Sequence, residues 1–531
     1  MDLLGFLLSI LVLFLSSILT KLLQKLWWRP IRVQRAMASQ GIKGPPYKFI
    51  HGCTKEISKL KKDVMMKMNE PMTNVSHEIL PIVEPHIHKW NKLYGGIFLF
   101  WHGPEALLSI SDTELVKEVL NNRDKTYVKP DFQENIRKLF GDGLFSTKRE
   151  KWARQRRLAH LAFHGESLKC MIPAMVDSVH MLLKRWQNLE AREVELFEEF
   201  TGITSDVISR TAFGSSYIEG RNIFRMLGEL TIIASRNHFK LRLPEVRKIW
   251  KTSDEIDSER LEKAIRDAVL EIIKKREEKV NTGEMNDYGN DFLGSLLKAY
   301  HDPDESKRIT IDDVIDECKT FYFAGQETTN SVLTWTLFLL AIHKDWQQEA
   351  RKEVTNVFGN EDPNHDGMMK LKTVGMIINE SLRLYPPLIS IFRKVKKQVT
   401  LGSLVLPADI VLHIPTLIIH HDRRIWGNDV HLFKPDRFSE GIAKATNNNA
   451  AAFLPFGLGP RNCVGLNFAM NEVKIAVAMI LQRYSFTLSP GYIPWPAHFL
   501  TIHPQPGVKV ILHPLQCEHV CAQLDLKKEE G

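Results

Sequence analysis

Phe456-Gly457-Leu458-Gly459-Pro460-Arg461-Asn462-Cys463-Val464-Gly465 is the stretch on which the reading of this chain turns. A lone cysteine is most often a small, buried and inert residue. The neighbours of Cys463 argue against that. Gly459 and Gly465 permit tight backbone geometry and close approach. Main-chain N–H groups can then point at the sulfur and tune a metal–sulfur bond from beyond the ligand itself. Arg461 is a planar, permanent cation of the kind that suits a haem propionate, and Phe456 offers a flat face on which a macrocycle can pack. A thiolate pushes electron density to a haem iron and favours O–O cleavage. The pattern marks Cys463 as a candidate thiolate ligand to haem iron.

The spacing Phe-x-x-Gly-x-Arg-x-Cys-x-Gly fixes five positions. At roughly 5% usage per residue type, a chance match in a chain of this length has a probability on the order of 10⁻⁴. On these residues the chain resembles the cytochrome P450 family, the haem-thiolate monooxygenases. The resemblance implies haem b (iron protoporphyrin IX) as cofactor and Cys463 as its proximal ligand. It also implies that Phe456, Gly459, Arg461 and Gly465 surround the cofactor.

Outward from that loop, Ala324-Gly325-Gln326-Glu327-Thr328-Thr329 lies in a long apolar helix that starts after Thr310 and runs to about His343. A helix-interior glycine is unfavourable by about 1 kcal/mol relative to alanine, and Gly325 is read as leaving room for a ligand to approach the backbone. Thr328 can bond back to the Ala324 carbonyl four residues earlier and perturb the helix locally. Glu327 and Thr328 are the candidate acid–alcohol pair for proton delivery, with Ala324 against the cofactor. A kinked core helix with a satisfied threonine is the plainer alternative.

Glu380 and Arg383, in Asn379-Glu380-Ser381-Leu382-Arg383-Leu384-Tyr385-Pro386-Pro387, share a helix face at i,i+3, where arginine can grip a carboxylate with two nitrogens. Pro435-Asp436-Arg437-Phe438 supplies a second arginine. The resemblance implies a buried, structural Glu380–Arg383–Arg437 cluster behind the cysteine loop; Asp436 stands where the family usually has Glu. Trp152 and Arg156 match the family's Trp-x-x-x-Arg pattern, which implies contact with the haem propionates. Lys148, Arg149, Lys151, Arg154 and Arg157 make this segment basic. It is read either as a solvated charge run or as a docking face for an acidic flavoprotein, NADPH-cytochrome P450 reductase, steered by charge. No dinucleotide fingerprint is present in the chain to replace such a partner.

Leu3 to Thr20 is an 18-residue run without a charge, about 27 Å long as a helix. Lys21, Lys25, Arg29, Arg32 and Arg35 follow it, and only Asp2 precedes it. The positive-inside rule then keeps the remainder in the cytosol; a cleaved signal peptide would want a basic start and a shorter apolar core. The expectation is a single-pass anchor in the endoplasmic reticulum membrane. Trp27 and Trp28 suit the headgroup level, Pro30 is expected to end the helix, and Gly41-Ile42-Lys43-Gly44-Pro45-Pro46 reads as a stiff elbow.

The 531 residues carry a net charge of +8 and a hydrophobic fraction of 44%. That charge is modest for the size, so nucleic-acid binding is not indicated. Six scattered cysteines are too few for a secreted disulfide framework. Cys517 and Cys521, with His513 and His519, are a weak zinc pattern in the tail. The expected organisation is an anchor at 1–20, a basic Pro/Gly-rich linker at 21–46, a catalytic domain at 47–514 and a tail at 515–531. The expected fold is mostly α (α-rich α+β), with strands around the His102-Gly103-Pro104 turn and across Val395 to Leu412. Long helices are expected over Ile256 to Val280 and Leu466 to Arg483.

Ser76 to Tyr94, Trp152 to Leu168 and Phe456 to Pro490 resemble the plant non-A-type branch containing secologanin synthase and gibberellin-, cytokinin- and brassinosteroid-oxidising enzymes. This implies a small apolar substrate, terpenoid or hormone-like, oxidised with O₂. By family position the pocket walls are Tyr127–Phe145, Phe323–Ala324, Leu388–Phe392 and Ala497–Leu500. A haem-thiolate isomerase or dehydratase that works without a reductase is the second reading, and a non-enzymatic haem carrier the third. Retention of Glu327 and Thr328 argues against both.

Overall fold

The helix Ile311–Ile342 organises the molecule. Its start is written in Thr310 and Asp313, which cap each other: the Thr310 Oγ1 accepts from the Asp313 N–H at 3.1 Å, and an Asp313 oxygen accepts from the Thr310 N–H at 2.9 Å. From Val314 to Phe323, and again from Thr329 to Ala341, nearly every residue is buried. Helices Leu196–Phe213 and Leu466–Arg483 pack directly against this core helix. A Cβ at Gly325 would sit 2.7 Å from Ile208 Cδ1 of the first of these. Gly325 therefore permits a close helix crossing, and the sequence-based expectation that it makes room for a ligand is corrected.

The computed structural model describes residues 3–66, 76–122, 125–188, 193–215, 217–237, 251–492, 495–505 and 507–515. Within them the fold is mostly helical, with twelve short strands numbered along the chain. One sheet has the order β1-β2-β8-β5-β3, built from Ile97–His102, Glu105–Ile110, Val411–Pro415, Ser390–Val395 and Tyr127–Val128; only the β2–β8 pair is parallel. A second combines β4 (Glu193–Glu195), β12 (Lys509–Pro514) and β9 (Tyr484–Leu488). Two hairpins complete the set, β6–β7 (Val399–Leu401, Leu404–Leu406) and β10–β11 (Trp495–His498, Ile502–Gln505). The charged helix expected near Ile256 spans Ser253–Asn281, and that expected at Leu466 spans Leu466–Arg483. The tail residues Cys517, Cys521 and His519 and residues 238–250 lie outside the described residues.

At the N-terminus, Pro30 does not end the helix as expected. Leu3–Leu23 passes through a π-helical turn, Gln24–Trp28, into Arg29–Ala38 without a break. A proline at position 30 has no N–H to give the Leu26 carbonyl, four residues back. The π turn carries the Arg29 N–H to Gln24 O, and the orphaned Leu26 carbonyl accepts instead from the Tyr47 hydroxyl at 2.5 Å. Tyr47 N–H bonds the Gln34 side chain at 2.9 Å, Arg29 pairs with Asp409 at 2.8 Å, and Gln40 bridges to both backbone groups of Val405. The elbow at 41–46 lies flat against β1, where a Cβ on Gly44 would collide with the Leu99 carbonyl at 1.8 Å. A tertiary hydroxyl thus carries the helix through a residue that breaks helices in isolation. The Ser9–Ala38 segment is long and apolar enough to cross a membrane, and none of its apolar window is buried.

Candidate active site

The cysteine loop lies between two elements that hold it. On one side Gly459, at φ +74°, approaches the end of helix Thr113–Asn121 so closely that a Cβ would meet the Leu120 carbonyl at 2.3 Å. On the other, Gly465 caps helix Leu466–Arg483 and puts Cys463 at its positive end. The Cys463 N–H donates to Phe456 O at 2.8 Å, closing the loop. Burial raises the Cys463 thiol pKa, while the Gly465 N–H aimed at the sulfur and the Arg156 guanidinium pull it down. The sulfur is surrounded by protein, yet the residue keeps accessible surface. Residues 455–459 of this loop are likewise only partly covered, in contrast to the fully buried Ala451–Leu454 that precede them.

Across the buried length of the core helix one window opens, Ala324 to Thr328. The Thr328 hydroxyl donates to Ala324 O at 2.7 Å, the back-bond expected from the sequence. Glu327 sits in apolar surroundings that raise its pKa, offset by a hydrogen bond from Thr501, whose Oγ1 donates to Glu327 Oε1 at 2.8 Å. Phe140 packs edge-on against Phe323 at 4.9 Å and at a tilt against Phe145 at 4.5 Å, and Phe145 stacks on Phe132 at 5.1 Å. The Tyr127–Phe145 and Phe323–Ala324 segments therefore meet as one aromatic wall. Leu388 and Phe499, in the other two expected walls, are 43% and 37% exposed although large and apolar.

Glu380, Arg383 and Arg437 come together as expected. Arg383 donates through Nε and Nη2 to the two Glu380 oxygens, both at 2.7 Å, and both residues are fully buried. Arg437 reaches Glu380 at 3.4 Å and also holds the Trp426 and Asp429 carbonyls. The cluster reaches the cysteine loop through one histidine. Arg383 donates to His420 O at 3.0 Å, and His420 Nε2 accepts the Leu454 N–H at 2.8 Å, two residues before Phe456. Burial and the Arg383 charge drive the His420 pKa down to about 3, which keeps that nitrogen an acceptor.

Three cations converge without a carboxylate. Burial lowers the Arg461 and Arg393 pKa values to about 10, and Arg393 bears on Arg461 as a like charge. Both bear on Lys129, which is held well below its ordinary value, mainly by burial, and lies 4.0 Å above the Phe145 ring. Arg461 stacks on Trp152 at 4.5 Å and donates to Thr147 O at 2.8 Å. None of the three cations has an acidic partner among the described residues. Desolvated like charges side by side are unfavourable, so this donor set fits a dianionic group such as the two propionates of haem. Arg393 and Lys129 were not singled out from the sequence. A signal was present for Arg393, a cation that alternates with the apolar residues Ile391 and Val395 along a strand.

Arg156, expected at the haem propionates, engages the cysteine loop. Its guanidinium grips the Asn462 carbonyl at 2.6 Å and the Asn462 side chain at 2.8 Å, bracing the loop beside Cys463. The basic segment is also partly committed: Lys148 pairs with Asp131, Lys151 with Asp313, and Arg154 with the Arg308 carbonyl. Arg149 and Arg157 are the cations of this stretch that stay exposed.

A family model described as Cytochrome P450 matches residues 81–511. Among curated relatives, "Cytochrome P450 CYP749A22" of Panax ginseng is 54% identical over 511 residues, covering 96% of this chain and 97% of the relative. "Cytochrome P450 734A1" of Arabidopsis thaliana is 38% identical, covering 94% and 95%. "11-oxo-beta-amyrin 30-oxidase" of Medicago truncatula is 39% identical, covering 96% and 97%.

Proposed function

The chain belongs to the cytochrome P450 family, with haem b as cofactor and monooxygenation as the reaction, and from that premise we propose a membrane-anchored enzyme that oxidises a terpenoid-scale apolar molecule. The observation that carries the site assignment is the juxtaposition around Cys463: a sulfur at a helix N-terminus, faced by the Gly465 N–H, on a residue that keeps accessible surface. When bound through Cys463, haem supplies O₂ activation, favoured by thiolate electron donation. Arg461, Arg393 and Lys129 would hold its propionates, with Trp152 beneath Arg461, and Arg156 fixes the loop through Asn462.

Glu327 keeps a proton to higher pH than an ordinary carboxyl, which suits a general acid. Thr328, anchored on the Ala324 carbonyl, offers its hydroxyl oxygen as the next stop for that proton. Phe132, Phe140, Phe145 and Phe323 line an apolar wall that excludes water from a greasy substrate. The similarity to an 11-oxo-β-amyrin 30-oxidase supports a polycyclic terpenoid substrate. Electrons come from NADPH-cytochrome P450 reductase, which docks on the face carrying Arg149 and Arg157. The helix Leu3–Leu23 anchors the protein in the endoplasmic reticulum membrane, with its basic flank and the catalytic domain on the cytosolic side.

The test is turnover of a triterpenoid panel including 11-oxo-β-amyrin, with microsomes holding this chain and the reductase. An oxygenated product dependent on NADPH and lost in Cys463→Ala supports the reading. Turnover confined to small phenolics would overturn the substrate class.

A further inference from the structure

We infer that Thr501, in the turn of the β10–β11 hairpin, is a positioning residue that orients the Glu327 carboxyl and couples it to a substrate-facing wall; this deepens, and rests on, the monooxygenase reading above. The hairpin register pairs His498 with Ile502, leaving Phe499, Leu500 and Thr501 as the turn. The Thr501 side chain is 1% exposed and its hydroxyl donates to Glu327 Oε1 at 2.8 Å. The next residue is fastened to the same helix: Ile502 O accepts from Ser331 Oγ at 2.5 Å and from Trp335 Nε1 at 3.2 Å. Its N–H donates to Pro387 O at 3.0 Å. Glu327, Ser331 and Trp335 fall at i, i+4 and i+8, one stripe of the core helix. The hairpin turn is thus attached along that stripe, and through Pro387 to the segment carrying Leu388.

The hydrogen bond decides which carboxyl oxygen works. Oε1 is occupied as acceptor from Thr501, so the proton of the neutral acid resides on Oε2. When that proton leaves, Glu327 becomes a carboxylate, and its bond from the Thr501 hydroxyl shortens and strengthens as a charge-assisted one. The carboxylate then takes its next proton from solvent, and the cycle closes without another reagent. No charged side chain among the described residues bears on Glu327; burial and Thr501 are the two influences on it. On the hairpin itself the titratable groups are His498 and His503; burial keeps His503 neutral, and it stacks on Phe499 and packs at a tilt against Phe197. Displacement of Phe499 by a substrate would be felt two residues away at Thr501, and so at the acid.

The test compares Thr501→Val, which keeps the shape and loses the donor, with Thr501→Ser, which keeps the donor. Haem-loaded protein is used throughout, and an intact reduced, CO-bound spectrum checks each variant's fold. Infrared difference spectra, wild type minus Glu327→Gln, isolate the Glu327 carboxyl band and its titration. In Thr501→Val the band moves to higher wavenumber and the midpoint to higher pH; in Thr501→Ser both stay. With reductase and NADPH, oxygen reduced fully, to water or product, is compared with oxygen released as peroxide, with and without 11-oxo-β-amyrin. That ratio falls about five-fold in Thr501→Val, the factor equivalent to one net hydrogen bond, and recovers in Thr501→Ser. An unmoved band, an unmoved ratio, or an equal loss in Thr501→Ser overturns the inference. An unchanged ratio in Thr328→Ala overturns the proton-delivery reading itself, and the infrared result then stands apart from it.

Discussion

Glu380→Gln removes one charge from a cluster whose central pair has no access to water. The carboxylate takes two bonds from Arg383 at 2.7 Å, the Lys434 N–H at 3.0 Å and Arg437 at 3.4 Å, with Glu380 and Arg383 both at 0% exposure. Breaking a buried pair by deleting one partner leaves an uncompensated charge and destabilises by about 3–5 kcal/mol. That is a fifth or more of an ordinary folding stability of about 5–15 kcal/mol. With a urea dependence near 3 kcal/mol per molar, the midpoint for loss of the haem spectrum should fall by about 1 M or more. The loss should show first at the haem, because Arg383 holds His420 and His420 holds Leu454, at the entry to the cysteine loop. The half-exposed pair Lys89–Glu56 is the internal control, and Glu56→Gln should change stability by less than about 1 kcal/mol. Urea titration followed by the reduced, CO-bound absorption measures both. Equal midpoints for Glu380→Gln and Glu56→Gln would refute the claim that the buried cluster locks the loop.

Cys463→Ala should lose the red-shifted band of the reduced, CO-bound protein that thiolate ligation produces; a variant keeping it would end the ligand assignment. Arg393→Ala should raise the haem dissociation rate on the order of ten-fold, as one charge-assisted bond of about 1.5 kcal/mol is lost; transfer of haem to apomyoglobin reads it. Charge reversal at Arg149 and Arg157 should slow reductase-driven turnover and flatten its salt dependence, while peroxide-driven turnover changes little; an equal fall in both would remove the docking face. Deleting residues 1–20 should weaken membrane attachment in carbonate extraction and leave the haem spectrum intact, whereas loss of the spectrum would contradict a separable anchor.

What could be read from the sequence was set by how far apart the partners lie along the chain. The Thr328 back-bond to Ala324 and the Glu380–Arg383 grip are separated by four and three residues, so helical periodicity alone brings them together. The cysteine loop was legible for the same local reason, since Phe456 and Cys463 close on each other within one turn-rich stretch. Thr501 lies 174 residues from Glu327, and nothing in either neighbourhood announces the other. Lys148 and Lys151 looked free because Asp131 and Asp313, which engage them, belong to other elements. Gly325 was assigned to the ligand when its space goes to Ile208 of a neighbouring helix. Pro30 misled in a parallel way: its effect on an isolated helix is clear, and only the fold reveals that Tyr47 supplies the missing donor.

That unbroken N-terminal helix has a consequence for how the enzyme meets its substrate. The segment past Trp28, Arg29–Ala38, is ten residues long, a strut of about 15 Å. It is bolted to the domain at Tyr47 and Asp409, with Leu26 before it on the Tyr47 hydroxyl and Gln40 after it on Val405. With the helix anchored as proposed, a change in bilayer thickness would pass through this strut to the domain as a change in height or tilt. Sterol-rich, thicker membrane would lift the whole domain, and a thinner one would lower it. A terpenoid substrate of the kind proposed would dissolve in the hydrocarbon layer, and lipid composition would then act as a rheostat on substrate supply, transmitted through the contacts at Tyr47, Asp409 and Val405.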